Sequence, residues 1–137
     1  MNTLSENHLF VYGTLMSNFN NVHSQLLRAR CDYIGKGSFH GYLFDLGYYP
    51  GVIFDPKSKY AVHGEIYHLG SNQEMVLEKL DTYEGITDSE VNNEYKRIVI
   101  PVLSSKTILP CWVYVLTQKP INSVTITSGS YGQYIEK

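Results

Sequence analysis

Leu9-Phe10-Val11-Tyr12 is the first apolar run of the chain, set between a polar segment, Met1 to His8, and Gly13. Four such residues with those bounds predict a buried first strand. Ser17 to Asn21 reads as loop, and Val22-His23-Ser24-Gln25-Leu26-Leu27 as a short helix. From Cys31 to Phe54 the pattern is extended, with Tyr33, Ile34, Phe39, Tyr42, Phe44 and Leu46 spaced between glycines. Those glycines, at 35, 37, 41, 47 and 51, mark bends or bulges and suit a strongly curved sheet or small barrel. Tyr48-Tyr49-Pro50-Gly51 is expected to turn, since proline fixes φ and glycine frees it, and Asp55 to Lys59 to make a second, exposed turn. Ala61 to Leu69 alternates. Val62, Gly64, Ile66 and His68 share one face of a strand; His63, Glu65, Tyr67 and Leu69 share the other.

The strongest helical signal follows. Ser71 with Glu74 three residues later has capping-box form, and Gly85 is placed to end the helix in a left-handed cap. At about 100° per residue, Val76, Leu77, Leu80 and Tyr83 line one apolar stripe, while Glu74, Glu78 and Asp81 fall outside it. Glu84 breaks the pattern: four residues after Leu80 and seven after Leu77, it shares the apolar face. It also stands at the helix end that carries partial negative charge, which with partial burial raises a carboxyl pKa toward the range of a general base. Conflicts of this kind concentrate at functional sites. The other reading is a frayed helix end with Glu84 turned to water. Beyond it, Ile86 to Asn93 is a polar loop, and Tyr95 to Leu103 and Thr107 to Leu116 read as strands around Ser104-Ser105-Lys106. From Lys119 onward a proline, a Val-Thr-Ile-Thr run and Ser128-Gly129-Ser130-Tyr131-Gly132 give no clear element.

Composition narrows the picture. A chain of 137 residues with no repeat or linker is expected to be one domain, residues 1–137. The 43% hydrophobic and 18% charged fractions exclude a disordered chain. A net charge of −2 offers no pull toward nucleic acid or an anionic membrane. Cys31 and Cys111 match no metal or disulfide spacing, and no stretch has signal-peptide or bilayer-spanning character, so the cytoplasm is the expected compartment. Twelve tyrosines suit a β-rich fold that half-buries them.

The chemistry-bearing stretch is Phe10-Val11-Tyr12-Gly13-Thr14-Leu15. Without a Cβ at Gly13 the backbone can bend tightly and a ligand can approach, while successive amides of Thr14 and Leu15 face one concavity and grip a carboxylate or oxyanion. On its residues alone, the plainer reading is a strand end with a glycine turn. Other signals fail. His63-Gly64-Glu65 with Pro110-Cys111 would need a cysteine at position 114 to make a zinc deaminase site, and Tyr114 is there. Gly35-Lys36-Gly37 lacks the register of a phosphate loop, no nucleophile elbow is present, and the five histidines have no ligand spacing.

Taken in order, Val11-Tyr12-Gly13-Thr14-Leu15, Tyr48-Tyr49-Pro50-Gly51, Val62-His63-Gly64-Glu65-Ile66-Tyr67, Leu80-Asp81-Thr82-Tyr83-Glu84-Gly85, Glu94-Tyr95-Lys96-Arg97 and Ser128-Gly129 resemble the γ-glutamylcyclotransferase-like family in its AIG2-like branch. The resemblance spans nearly the whole chain. It implies an α+β fold, a small mixed β-barrel flanked by short helices. It further implies a pocket bounded by the Tyr12–Leu15 loop, with Tyr12, Gly13, Thr14 and Leu15 binding substrate and Glu84 as the single catalytic acid/base. Tyr49, Tyr95 and Tyr131 are candidate lining residues, as is Arg97, although ordinary sheet roles fit each equally. The implied substrate is a small-molecule γ-glutamyl amide, cyclised to 5-oxoproline with release of an amine, with no cofactor or metal and no nucleic-acid or membrane partner. Met16 and Tyr131 depart from the family pattern, which leaves substrate choice open. They also keep alive a non-catalytic protein that binds a small acidic ligand in the same cavity. Oligomeric state is not legible.

Overall fold

The computed structural model describes residues 7–88 and 92–136, so part of the N-terminal segment and residues 89–91 of the polar loop lie outside the described residues. In order, the elements are β1 (His8–Val11), α1 (Val22–Arg30), β2 (Asp32–Asp45), β3 (Pro50–Phe54), β4 (Ala61–His68), α2 (Gln73–Tyr83), β5 (Tyr95–Leu103), β6 (Ile108–Leu116), β7 (Val124–Thr125) and α3 (Tyr131–Ile135). The sheet runs β3-β2-β4-β1-β6-β5, and a pairing of Ser38 with Leu103 returns β5 to β2. Five strands therefore close into a barrel. β1 lies antiparallel to β4 but parallel to β6, which makes the barrel mixed. This is the α+β barrel with short helices that the sequence resemblance implied.

β2 explains how so small a barrel closes. Its first half pairs with β4 through a bulge at Tyr33/Gly35, and its second half, Gly41 to Asp45, leaves to pair with β3. The bulge bends and twists the β4-paired stretch, and the change of partner falls between His40 and Gly41, so one 14-residue strand serves two sheets. Side-chain alternation then sorts the core. Phe10, Phe39, Val62, Ile66, Ile100 and Val113 join one cluster fed by all five barrel strands. Leu9, Val11, Tyr67 and Tyr114 face the other way and pack with Leu27 of α1 and Val76, Leu77 and Leu80 of α2. β1 is thus buried on both sides, as its unbroken apolar run requires.

Several local expectations are corrected. Ser71 does not cap α2: it lies in a short 3-10 turn, Gly70–Asn72, and Asn72 precedes the helix without a side-chain cap bond. The Asn72 side-chain Nδ2 instead donates to the Arg30 carbonyl at 2.8 Å, tying the two helices together. A capping box does form, at α1, where Asn21 Oδ1 accepts from the Ser24 amide at 2.8 Å and Ser24 Oγ accepts from the Asn21 amide at 3.0 Å. The turn expected over Tyr48–Gly51 sits two residues earlier, closed by a bond from the Leu46 amide to the Tyr49 carbonyl at 3.0 Å. Pro50 and Gly51 already belong to β3, where a first-position proline is tolerated because it need not donate to the ladder. Tyr83, expected on the buried stripe, is 43% exposed.

Candidate functional site

The end of α2 sets the site. Gly85 adopts φ +75, a conformation strained for any residue with a Cβ, and the chain reverses in a Schellman motif. The Gly85 amide bonds the Thr82 carbonyl at 3.1 Å, and the Ile86 amide reaches back to the Asp81 carbonyl at 2.9 Å. Glu84 is the cap residue itself and cannot swing out as a frayed end would. Its carboxyl lines a cavity of about 340 Å³ together with Phe10, Val11, Tyr12, Gly13, Thr14 and Leu15 from the exit of β1. Tyr49, Pro50, Tyr83, Gly85, Glu94, Tyr95 and Tyr114 complete the wall. A volume of this size suits a small molecule.

The approach of β1 and β3 depends on Gly13. A Cβ there would come within 2.9 Å of Pro50 Cγ, so a glycine lets the loop lie against the start of β3. The loop turns at once, with the Met16 amide donating to the Gly13 carbonyl at 3.0 Å. The side-chain amide of Asn21 donates to the Thr14 carbonyl at 2.8 Å, which fixes the peptide from outside. Ser17 is pinned by Glu65 through its amide at 2.7 Å and its hydroxyl at 2.8 Å. Thr14 and Leu15 line the cavity, and their amides have no acceptor among the described residues.

Burial first, then the neighbouring charges of Glu94 and Asp81, push the Glu84 carboxyl up to about 7. It has no hydrogen-bond or ion-pair partner among the described residues. Such a group exchanges protons near neutrality without first breaking a bond. The buried tyrosines around it are differently placed. Tyr12 donates to the Tyr114 carbonyl at 2.6 Å and Tyr95 to the Pro50 carbonyl at 2.6 Å. Burial raises both hydroxyls above their usual range, so they remain protonated donors whose rings form the wall. At the outer rim Tyr49 donates to Glu94 Oε1 at 2.8 Å, and Thr14 Oγ1 meets the Tyr83 hydroxyl at 3.2 Å.

The fold therefore gathers Glu84, Tyr12, Gly13, Thr14, Leu15, Tyr49 and Tyr95 around one cavity and leaves three other residues elsewhere. Tyr131 begins α3 and stacks on Phe19 with ring centroids 6.2 Å apart, outside the lining. Its placement follows from a five-residue helix that the sequence pattern did not disclose. Arg97 belongs to an adjacent cavity and is held by Asp81 at 2.8 and 3.0 Å over the ring of Trp112. Met16 is buried and lines a different cavity from Glu84. Glu94, Pro50, Tyr83 and Tyr114 were not singled out as lining. Pro50, Tyr83 and Glu94 lie in the stretches that carry the family resemblance, while nothing local marks Tyr114. Among the described residues no three His, Cys, Asp or Glu side chains gather as metal ligands.

A family model described as gamma-glutamyl cyclotransferase, AIG2-like, matches residues 9–133. The chain belongs to that family. No curated protein matches it. Among solved structures, YkqA from Bacillus subtilis is 26% identical with a TM-score of 0.70, over 95% of this chain and 41% of that one. The chain thus spans about two fifths of YkqA. The ytfP protein of Escherichia coli is 28% identical with a TM-score of 0.60, covering 90% of this chain and 95% of that one. An AIG2-like protein from Mus musculus is 25% identical with a TM-score of 0.64, over 83% and 79% of the two chains. Each is similar to this chain in fold. No helix among the described residues is long and apolar enough to cross a membrane.

Proposed function

We propose that the protein cyclises γ-glutamyl amides to 5-oxoproline and a free amine, with Glu84 as general base and then general acid. The observation that carries the reading is Glu84, its carboxyl unpaired among the described residues and raised to about 7, lining one cavity with Thr14 and Leu15. Membership of the gamma-glutamyl cyclotransferase, AIG2-like family supports it.

The substrate brings its own nucleophile. Its α-ammonium gives a proton to Glu84, and the freed amine attacks the γ-carbonyl carbon. A ring C–N bond forms while the carbonyl oxygen takes up charge. Glu84 passes its proton to the departing nitrogen and takes a second from the ring nitrogen. The tetrahedral centre then collapses, the bond to the departing nitrogen breaks, and Glu84 gives that second proton to the released amine. Two ammonium protons end on the leaving amine, one stays on the ring nitrogen, and Glu84 finishes as it began. Correct folding of the glutamyl chain is worth about 7–11 kcal/mol of barrier in well-aligned intramolecular reactions. The apolar walls from Phe10, Tyr12, Tyr95 and Tyr114 supply that confinement, and the Thr14 and Leu15 amides would bind the substrate carboxylate or the developing oxyanion.

The test is detection of 5-oxoproline by mass spectrometry from a panel of γ-glutamyl amides. Glu84→Gln keeps the size of the side chain but cannot carry the proton, and turnover should fall by about 10²–10⁴. Wild-type turnover in that variant would remove Glu84 from the mechanism. Tight binding of the panel without product would favour a non-catalytic binding protein.

A further inference from the structure

Val11 ends β1, and its register partner on β4 is Glu65. The side chain of that same Glu65 reaches to the far end of the loop that follows. Its Oε1 accepts from the Ser17 amide at 2.7 Å and its Oε2 from the Ser17 hydroxyl at 2.8 Å. One residue therefore holds both ends of the segment 12–16, by strand pairing at the start and by its carboxylate at the finish. Tyr12, Gly13, Thr14 and Leu15, the cavity-lining part of the loop, all fall inside that span.

Solvation does not demand this clamp. Ser17 is exposed, so water can satisfy its amide and hydroxyl. Glu65 makes no ion pair among the described residues, and both its oxygens are engaged by Ser17. The other ties on the loop come from the helical side: Asn21 holds the Thr14 carbonyl, and Arg28 Nη1 of α1 donates to the Ser17 carbonyl at 3.3 Å. Glu65 fixes the same loop to the barrel, through two charge-assisted bonds whose direction is set by a rigid strand.

We infer that Glu65 is a positioning residue: its carboxylate sets the path of residues 12–16, and so the place of the glutamyl group relative to Glu84. The inference rests on the cyclisation reading and adds a residue that acts on it from outside the cavity. A misplacement of about 1 Å in a binding group costs about a hundredfold in rate. Two hydrogen bonds at a wet surface contribute little to folding stability by comparison. Activity and stability should therefore separate.

The experiment measures both in three variants, with whichever γ-glutamyl amide of the panel turns over fastest. Glu65→Ala should lower kcat/KM by about tenfold to a hundredfold while its urea midpoint stays near that of wild type. Glu65→Gln keeps the length and an acceptor for the Ser17 amide, and should recover to within about threefold of wild type. Glu65→Asp, one methylene short, should remain as poor as the alanine variant. The charges that raise Glu84 are those of Glu94 and Asp81, so the acid limb of the kcat/KM profile should stay in place throughout. Wild-type kcat/KM in folded Glu65→Ala, an equal loss in Glu65→Gln, or a shifted acid limb would overturn the inference while leaving cyclisation standing. If no amide turns over, the cyclisation reading fails and hydrogen exchange decides whether Glu65 shapes the loop. The Met16 amide, bonded to the Gly13 carbonyl at 3.0 Å, should then exchange about tenfold faster in Glu65→Ala than in Glu65→Gln. Equal exchange sinks the inference.

Discussion

Asp81 and Glu84 lie within four residues at the end of one helix, yet their surroundings are opposite. Asp81 accepts two bonds from Arg97 and a third from the Tyr114 hydroxyl at 2.7 Å. Glu84 accepts none among the described residues and faces a cavity. Tyr114 belongs to both neighbourhoods, since its hydroxyl serves Asp81 and its ring walls the space beside Glu84. The difference is one of commitment. An acid wrapped in donors braces the structure, and an acid held in place by backbone geometry alone stays available for proton transfer. Asp81 contributes in both ways, because its charge helps raise the Glu84 carboxyl while its side chain fixes the helix end against β5 and β6.

The comparison breaks most decisively in kinetics. Glu84→Gln should lose about 10²–10⁴ in kcat with its fold intact, whereas Asp81→Asn should lose less than about tenfold. Equal losses would mean that both acids act on substrate, or neither. Stability should show a pH signature next. Because the Glu84 carboxyl is raised to about 7 from an ordinary 4.5, the folded chain binds more protons than the unfolded one between those values. Its burden on stability is therefore absent below the unfolded value, grows across the window and is full above the folded value. Glu84→Gln should match wild type in urea denaturation at about pH 4 and exceed it by about 2–3 kcal/mol at about pH 8.

Asp81→Asn should destabilise by about 2 kcal/mol in the same assay, since Arg97 loses its counter-charge at a site only partly shielded from water. A neutral result would show that the ion pair is ornamental. The smallest effect concerns Glu94. Removing its charge with Glu94→Gln should move the acid limb of the kcat/KM profile downward by less than about one pH unit. An upward move would contradict the like-charge contribution assigned to it.

Much of this arrangement is visible in the residues because it is local. The alternation from Ala61 onward yields β4, and β5 and β6 fall almost where their apolar runs begin and end. Gly85 announces a left-handed cap, and Glu84 draws notice because it violates the helix pattern. What escapes is what depends on distant partners. Barrel closure rests on Ser38 meeting Leu103, and Glu94 joins the rim through Tyr49, 45 residues away. Asn21 caps α1 with a serine partner, so a search for a Ser-Glu spacing finds Ser71 instead. α3 has only five residues, too few for periodicity to register.

Asn21 carries one last implication. Its oxygen caps α1 while its nitrogen holds the Thr14 carbonyl, so a single amide joins helix nucleation to the shape of the opening loop. For anyone reshaping this scaffold, that side chain is a seam: aspartate would keep the cap and release the loop. New specificity grafted into residues 12–15 should therefore be designed with position 21 held constant.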